Sequence, residues 1–275
     1  MATSKEPGAA IPEDHDDNSS ETALPEYESG TAPGPSPYKR LPLSFNIYYK
    51  QWFSSMYQIG EHENQPLFTI QRHGAWGHDK PMIVLHEGAD PKGPVVGTVT
   101  KDGPKKHDTV IELPMSPRPG SSEGGGTTNR EPFVSDVSMT LKNSRFRFSF
   151  DVGLRGKETR RETFEWRISK AVEVRALDSM AFGWKLVRLL GPDGDQPTTG
   201  RGGPRGARDV GEASDGKEVV AAWSENSGLT LSKIAKFHFL GAGATGEFGD
   251  DWALIAALSA FRLWKFTSGS ISVRP

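Results

Sequence analysis

The chain has 275 residues, enough for one large domain or two ordinary ones, and carries 33 basic and 35 acidic side chains for a net charge of −2. This balance argues against a dedicated duplex-DNA binder, which carries a basic excess. The lack of cysteine excludes disulfides, thiolate zinc sites, iron–sulfur clusters and a cysteine nucleophile, and a mean hydropathy of −0.53 is low for a chain folded throughout.

Residues 1–38 hold eight acidic side chains (Glu6, Glu13, Asp14, Asp16, Asp17, Glu21, Glu26 and Glu28) and one lysine, Lys5, among Pro, Ser and Gly. Such a stretch cannot bury enough apolar surface to offset chain entropy, so a disordered acidic arm is expected. It lacks the apolar segment of a secretory signal and is too acidic for a transit peptide. It also lacks the glycine that myristoylation needs. Without it, residues 39–275 keep 32 basic and 27 acidic residues, a net of +5, and form the expected folded domain.

From Leu43 onward the pattern is mostly period two. Phe45, Ile47 and Tyr49 alternate with polar or wet positions, as do Phe146, Phe148 and Phe150, and then Phe164, Trp166 and Ile168. Such alternation marks strands with one buried face. Strands are expected near 43–50, 52–59, 67–72, 82–87, 94–100, 108–113, 133–140, 145–151, 162–168, 182–190, 217–224 and 232–240. Histidines gather at His62, His73, His78 and His86. No HExxH or cysteine accompanies them, so they read as turn and strand-surface residues, and no metal is expected.

Two Gly/Pro/Ser-rich stretches without periodicity, 114–132 and 191–216, read as flexible insertions. The second contains a single Arg-Gly-Gly at Arg201–Gly203, which carries little weight as an RNA-binding signal. Between them lies the strongest charge feature. Residues 145–170 contain Arg145, Arg147, Arg155, Lys157, Arg160, Arg161, Arg167 and Lys170 against Asp151, Glu158, Glu162 and Glu165. A basic hairpin of this kind can present Arg145, Arg147, Arg155, Lys157, Arg160, Arg161 and Arg167 to phosphate groups. The competing reading is a solvated hairpin with Arg–Glu pairs along its strands.

Gly241, Gly243 and Gly246 spell GxGxxG before a helix. No second strand follows that helix, and Glu247, Asp250 and Asp251 crowd its start, so the motif reads as a turn rather than a dinucleotide site. The helix itself is expected over 250–266. Asp250 or Asp251 can cap its start, and Arg262 and Lys265 suit its end. Trp252, Leu254, Ile255, Leu258, Phe261, Leu263 and Trp264 cover every face, and a helix apolar all round must be surrounded. The stretch is too short to span a membrane, so no transmembrane segment is expected. The simplest fold is all-β: a closed antiparallel barrel of about 12 strands around a C-terminal hydrophobic helix.

FNIYYKQWFSSMYQIGE (45–61), PLFTIQRHGAWGH (66–78), TFEWRIS (163–169), FGWKLVRL (182–189), DGKEVVAAW (215–223) and AKFHFLGAG (235–243), with the final helix, resemble the tubby C-terminal-like superfamily. That group includes tubby proteins, LURP-one-related proteins and phospholipid scramblases, and the sequence is most similar to its fungal members. The resemblance covers most of residues 43–266. It implies the barrel fold and roles in lipid or partner binding, with phosphoinositides in the tubby branch. The tubby lipid-contacting residues have no matching positions here. The expected function is therefore a non-catalytic module that binds anionic lipid headgroups or a protein partner, without a cofactor, in the cytoplasm or peripheral at a membrane. The alternative is a scramblase-like lipid transporter, which needs the C-terminal helix to enter a bilayer. An enzyme at the barrel mouth is a third reading, but the chain has no GxSxG elbow or other catalytic set.

Overall fold

The computed structural model describes residues 40–269 apart from 52–53, 75–79, 103–106, 115–127, 137–142, 154–158, 179–182, 190–211, 214 and 227–231. The expected arm, residues 1–38, lies outside the described residues, as does most of the insertion at 191–216. Among the described residues, twelve strands form: β1 (Ser44–Tyr49), β2 (Met56–Gly60), β3 (Phe68–Arg72), β4 (Ile83–Glu87), β5 (Val95–Lys101), β6 (Thr109–Pro114), β7 (Thr128–Asp136), β8 (Arg145–Val152), β9 (Arg160–Ser169), β10 (Gly183–Arg188), β11 (Val219–Glu225) and β12 (Lys233–Phe239). Three helices accompany them: α1 (Val172–Arg175), α2 (Gly241–Thr245) and α3 (Gly249–Gly269).

Each strand pairs antiparallel with the next in chain order, and β12 returns to β1, so the sheet closes into a barrel. At the seam Phe45 lies opposite Phe237, and their rings stack with centroids 4.7 Å apart. Closure removes the two terminal edges that an open sheet would carry. The alternation in β8 shows how sequence sets the wall: Phe146, Phe148, Phe150 and Val152 are buried, while Arg145, Arg147, Ser149 and Asp151 between them are not.

The central space belongs to α3. Leu254 to Phe261 are buried without a break, more than two helical turns, so solvent reaches no face of that segment. Trp252 packs on Phe164 of β9 and Phe239 of β12. Phe261 and Trp264 pack on Tyr57 of β2, and Phe266 on Phe146 of β8. With walls on opposite sides, the helix runs inside the barrel. A methyl group on Gly97 of β5 would come within 2.7 Å of Leu258 Cδ1, so glycine there lets the helix approach the wall. A buried polar link joins helix and wall: Trp166 Nε1 donates to Ser259 Oγ at 2.8 Å, and Ser259 Oγ donates to the Ala256 carbonyl at 2.8 Å. That link fixes the rotation of α3 against β9. No described helix is long and apolar enough to cross a membrane.

Three sequence expectations need correction. The stretch 114–132 is not all insertion, because Pro114 ends β6 and pairs with Thr128 at the start of β7. The buried alternate positions of β7 are Glu131, Phe133 and Ser135; two of the three are polar, which hid the strand. The insertion at 191–216 ends before Glu212, which bridges to Glu218, and Ala213 next to it is buried. Finally, α3 runs to Gly269 rather than 266. Thr267 Oγ1 donates to the Trp264 carbonyl at 2.9 Å, and Ser268 Oγ to the Lys265 carbonyl at 3.5 Å, which continues the last turn.

Candidate anion-binding face on β8 and β9

β8 and β9 run side by side from Arg145 opposite Arg167 to Val152 opposite Arg160. Their arginines meet carboxylates. Glu165, almost wholly buried, faces Arg147 and pairs with it, lies 3.6 Å from Arg145 Nε, and accepts from Arg167 Nε at 2.7 Å. Arg167 also donates to Asp215 at 2.8 Å. Burial pushes the Asp215 carboxyl up, but Arg167 and nearby backbone N–H groups outweigh it and hold the group below its ordinary value. Arg161 forks onto Glu131, with one N–H bond of 3.0 Å, and lies 3.2 Å from Asp151. Burial raises the Glu131 carboxyl, and Arg161 opposes that rise.

Arg160 Nε donates to Glu162 at 3.1 Å. Glu162 also accepts from Arg188 of β10, at 2.5 and 2.7 Å. Arg188 reaches Glu247 at 2.9 Å and Glu218 at 3.4 Å, and its guanidinium lies 4.9 Å from the centroid of the Phe248 ring. Arg188 and Glu162 are both buried. They close the end of the barrel where α3 begins. Sequence reasoning missed this network, although a signal was present: Glu162 has the same strand parity as Phe164 and Trp166, and Arg188 the same as Trp184 and Leu186.

The structure therefore joins Arg145, Arg147 and Arg167 through Glu165, and places Arg160 and Arg161 on separate carboxylates. Arg155 and Lys157 lie outside the described residues. The side chains of Arg147 and Arg161 remain half exposed, at 51% and 48%. They flank a groove with a volume of about 360 Å³. The groove opens because β7 pairs with β8 only over Val134–Asp136, while β8 keeps pairing with β9 to its end. Pro132 precedes that short pairing and has no N–H to give to a ladder. Ser149 and Thr163 line the groove with hydroxyls 3.0 Å apart, and Pro132, Val134 and Phe148 supply apolar walls. Two guanidiniums, two hydroxyls and an apolar wall suit a phosphate or carboxylate carried on a less polar body.

Parts of the other motifs have partners within the chain. His86 Nδ1 bonds with the Gly93 carbonyl at 3.0 Å, and His78 lies outside the described residues. Among the described residues, no three His, Asp or Glu side chains gather as a metal site. In the GxGxxG turn, Glu218 accepts from the Ala242 N–H at 2.7 Å, so a carboxylate of the chain itself sits at the start of the five-residue α2. A crevice between α3 and the seam, bounded by Trp223, Phe237 and Trp264, has no room for a water molecule. No family model, curated protein or solved structure matches the chain.

Proposed function

We propose that this protein is a non-catalytic binding module on a tubby-like scaffold, and that the groove between β7 and β8 receives the phosphate of an anionic lipid headgroup. The sequence motifs and the barrel closed around a C-terminal helix support the scaffold reading. The groove carries the functional one, because it brings half-exposed Arg147 and Arg161 together with the Ser149 and Thr163 hydroxyls. Arg147 is the side chain free to turn toward a ligand: Glu165 would keep Arg145 and Arg167 as partners. Arg161 instead orders the rim through its fork on buried Glu131.

Flotation with phosphoinositide-containing vesicles at low salt tests this reading. The full chain should float with them and not with neutral vesicles, and added salt should release it. Arg147→Ala should weaken binding by about 1 kcal/mol, roughly fivefold, with the fold intact. If the full chain ignores anionic vesicles at low salt, the lipid reading fails and the groove becomes a surface for a protein partner.

A further inference from the structure

The two ends of the barrel are charged differently. Where α3 begins, Arg188 is met by Glu162, Glu218 and Glu247. Where α3 finishes, Lys265 lies close enough to Arg72 to be repelled by it, Arg262 stands three residues before Lys265 on the helix, and no described carboxylate pairs with any of the three. Arg72 ends β3 with the same parity as the core residues Phe68 and Ile70, opposite buried Ile83. Arg262 and Lys265 are three apart on α3, which makes them neighbours on its surface. Lys265 Nζ lies 3.3 Å from the Tyr57 hydroxyl, 4.5 Å from the centroid of the Trp264 ring and 5.5 Å from that of Tyr57. Arg262 Nε is buried without an acceptor. Glu225, at the same end, has a carboxylate oxygen 3.1 Å from Thr267 Oγ1.

The helix terminus does not account for these cations. The last turn of α3 contains no basic residue, and the potential of a helix end fades within that turn. Burial, followed by repulsion from Arg72, brings Lys265 down to about 8, and burial also lowers Arg262. At the other end the buried Arg188 meets carboxylates; here Arg72 and Lys265 repel each other and Arg262 Nε has no acceptor.

We propose that this mouth is an anion site, in which Arg72, Arg262 and Lys265 together take the oxygens of a phosphate or sulfate group on a small ligand. Planar guanidiniums fork onto such oxygens and an ammonium adds a point charge, so the three match a tetrahedral anion of charge −2 or more. The site is separate from the β7–β8 groove and does not depend on it.

Titration calorimetry of the full chain with pyrophosphate at low ionic strength tests the site, with sodium chloride at equal ionic strength as the control. Pyrophosphate should bind, and Arg72→Ala should weaken it about tenfold or more. Arg72 is exposed, so that variant should stay folded. Lys265→Met should act in the same direction. Flotation with phosphatidic acid vesicles, lost in Arg72→Ala, would assign the phosphate to a lipid. Pyrophosphate binding without flotation would assign it to a soluble ligand. No binding of pyrophosphate, or binding unchanged in both Arg72→Ala and Lys265→Met, overturns the proposal.

Discussion

Replacing Leu258 with aspartate tests the enclosure of α3 directly. Leu258 is 1% exposed and sits over Gly97 on the barrel wall. Truncation to alanine alone removes buried methyl groups and leaves a cavity, at about 2–5 kcal/mol. An aspartate adds a carboxylate with no partner in that space, at several kcal/mol more. The sum is about 5–10 kcal/mol, against about 5–15 kcal/mol for the total stability of a domain. Leu258→Asp should therefore be insoluble or lack native circular dichroism, while Leu258→Ala should fold with a lower urea midpoint. A soluble Leu258→Asp protein with native circular dichroism and an unchanged melting temperature would refute the reasoning. The helix would then have to lie outside the wall.

Other positions give independent checks. A methyl group on Gly183 would come within 2.2 Å of the Trp223 carbonyl oxygen and 2.5 Å of Val174 Cγ1, so Gly183→Ala should cost about 1–3 kcal/mol, read as a lower melting temperature. Glu162→Gln should cost about 3 kcal/mol in urea unfolding, the low end for a broken buried pair, because Glu247 and Glu218 keep hold of Arg188. Lys265 supplies a pH signature. Burial and Arg72 hold it near 8 in the fold, against an unperturbed value of 10.5. Below about pH 8 both folded and unfolded chains carry the proton, and the penalty is constant. Between about 8 and 10.5 only the unfolded chain keeps it, so this group makes stability rise with pH. Lys265→Met should flatten that rise when urea midpoints are compared at about pH 7.5 and about pH 9.5. Tyr48 and Tyr57 are raised by burial, so they act above this window.

The wall of the barrel is legible in the sequence because a strand with one buried face writes its period into the chain. Phe146, Phe148 and Phe150 need no tertiary information to be read. The helix is legible for the opposite reason: residues 252–264 are apolar on every face, which only enclosure satisfies. Where burial is polar the reading weakens. Glu131 and Ser135 occupy core positions of β7, so half of that strand looks like loop. The hairpin arginines are plain in the sequence, but their partners are not. Glu131 and Asp215 come from distant elements, and pairing across a barrel cannot be deduced from spacing. The opening between β7 and β8 depends on where a ladder stops, which composition does not encode.

The seam between β1 and β12 has a consequence for how the chain reaches its fold. Ser44 and Phe237, bonded across it, are 193 residues apart, and the filling of the tube follows β12 in sequence. All twelve strands can zip up hairpin by hairpin from local contacts, yet the two ends of the sheet must wait for one another. A chain stopped before Gly249 would own every strand and lack the side chains that fill the tube between them. It should persist as an open, sticky ribbon, exposed to association with its own copies. Closure and filling are thus one late event, and loosening Phe45 or Phe237 at the seam should slow folding more than an equal loss within β4 or β5.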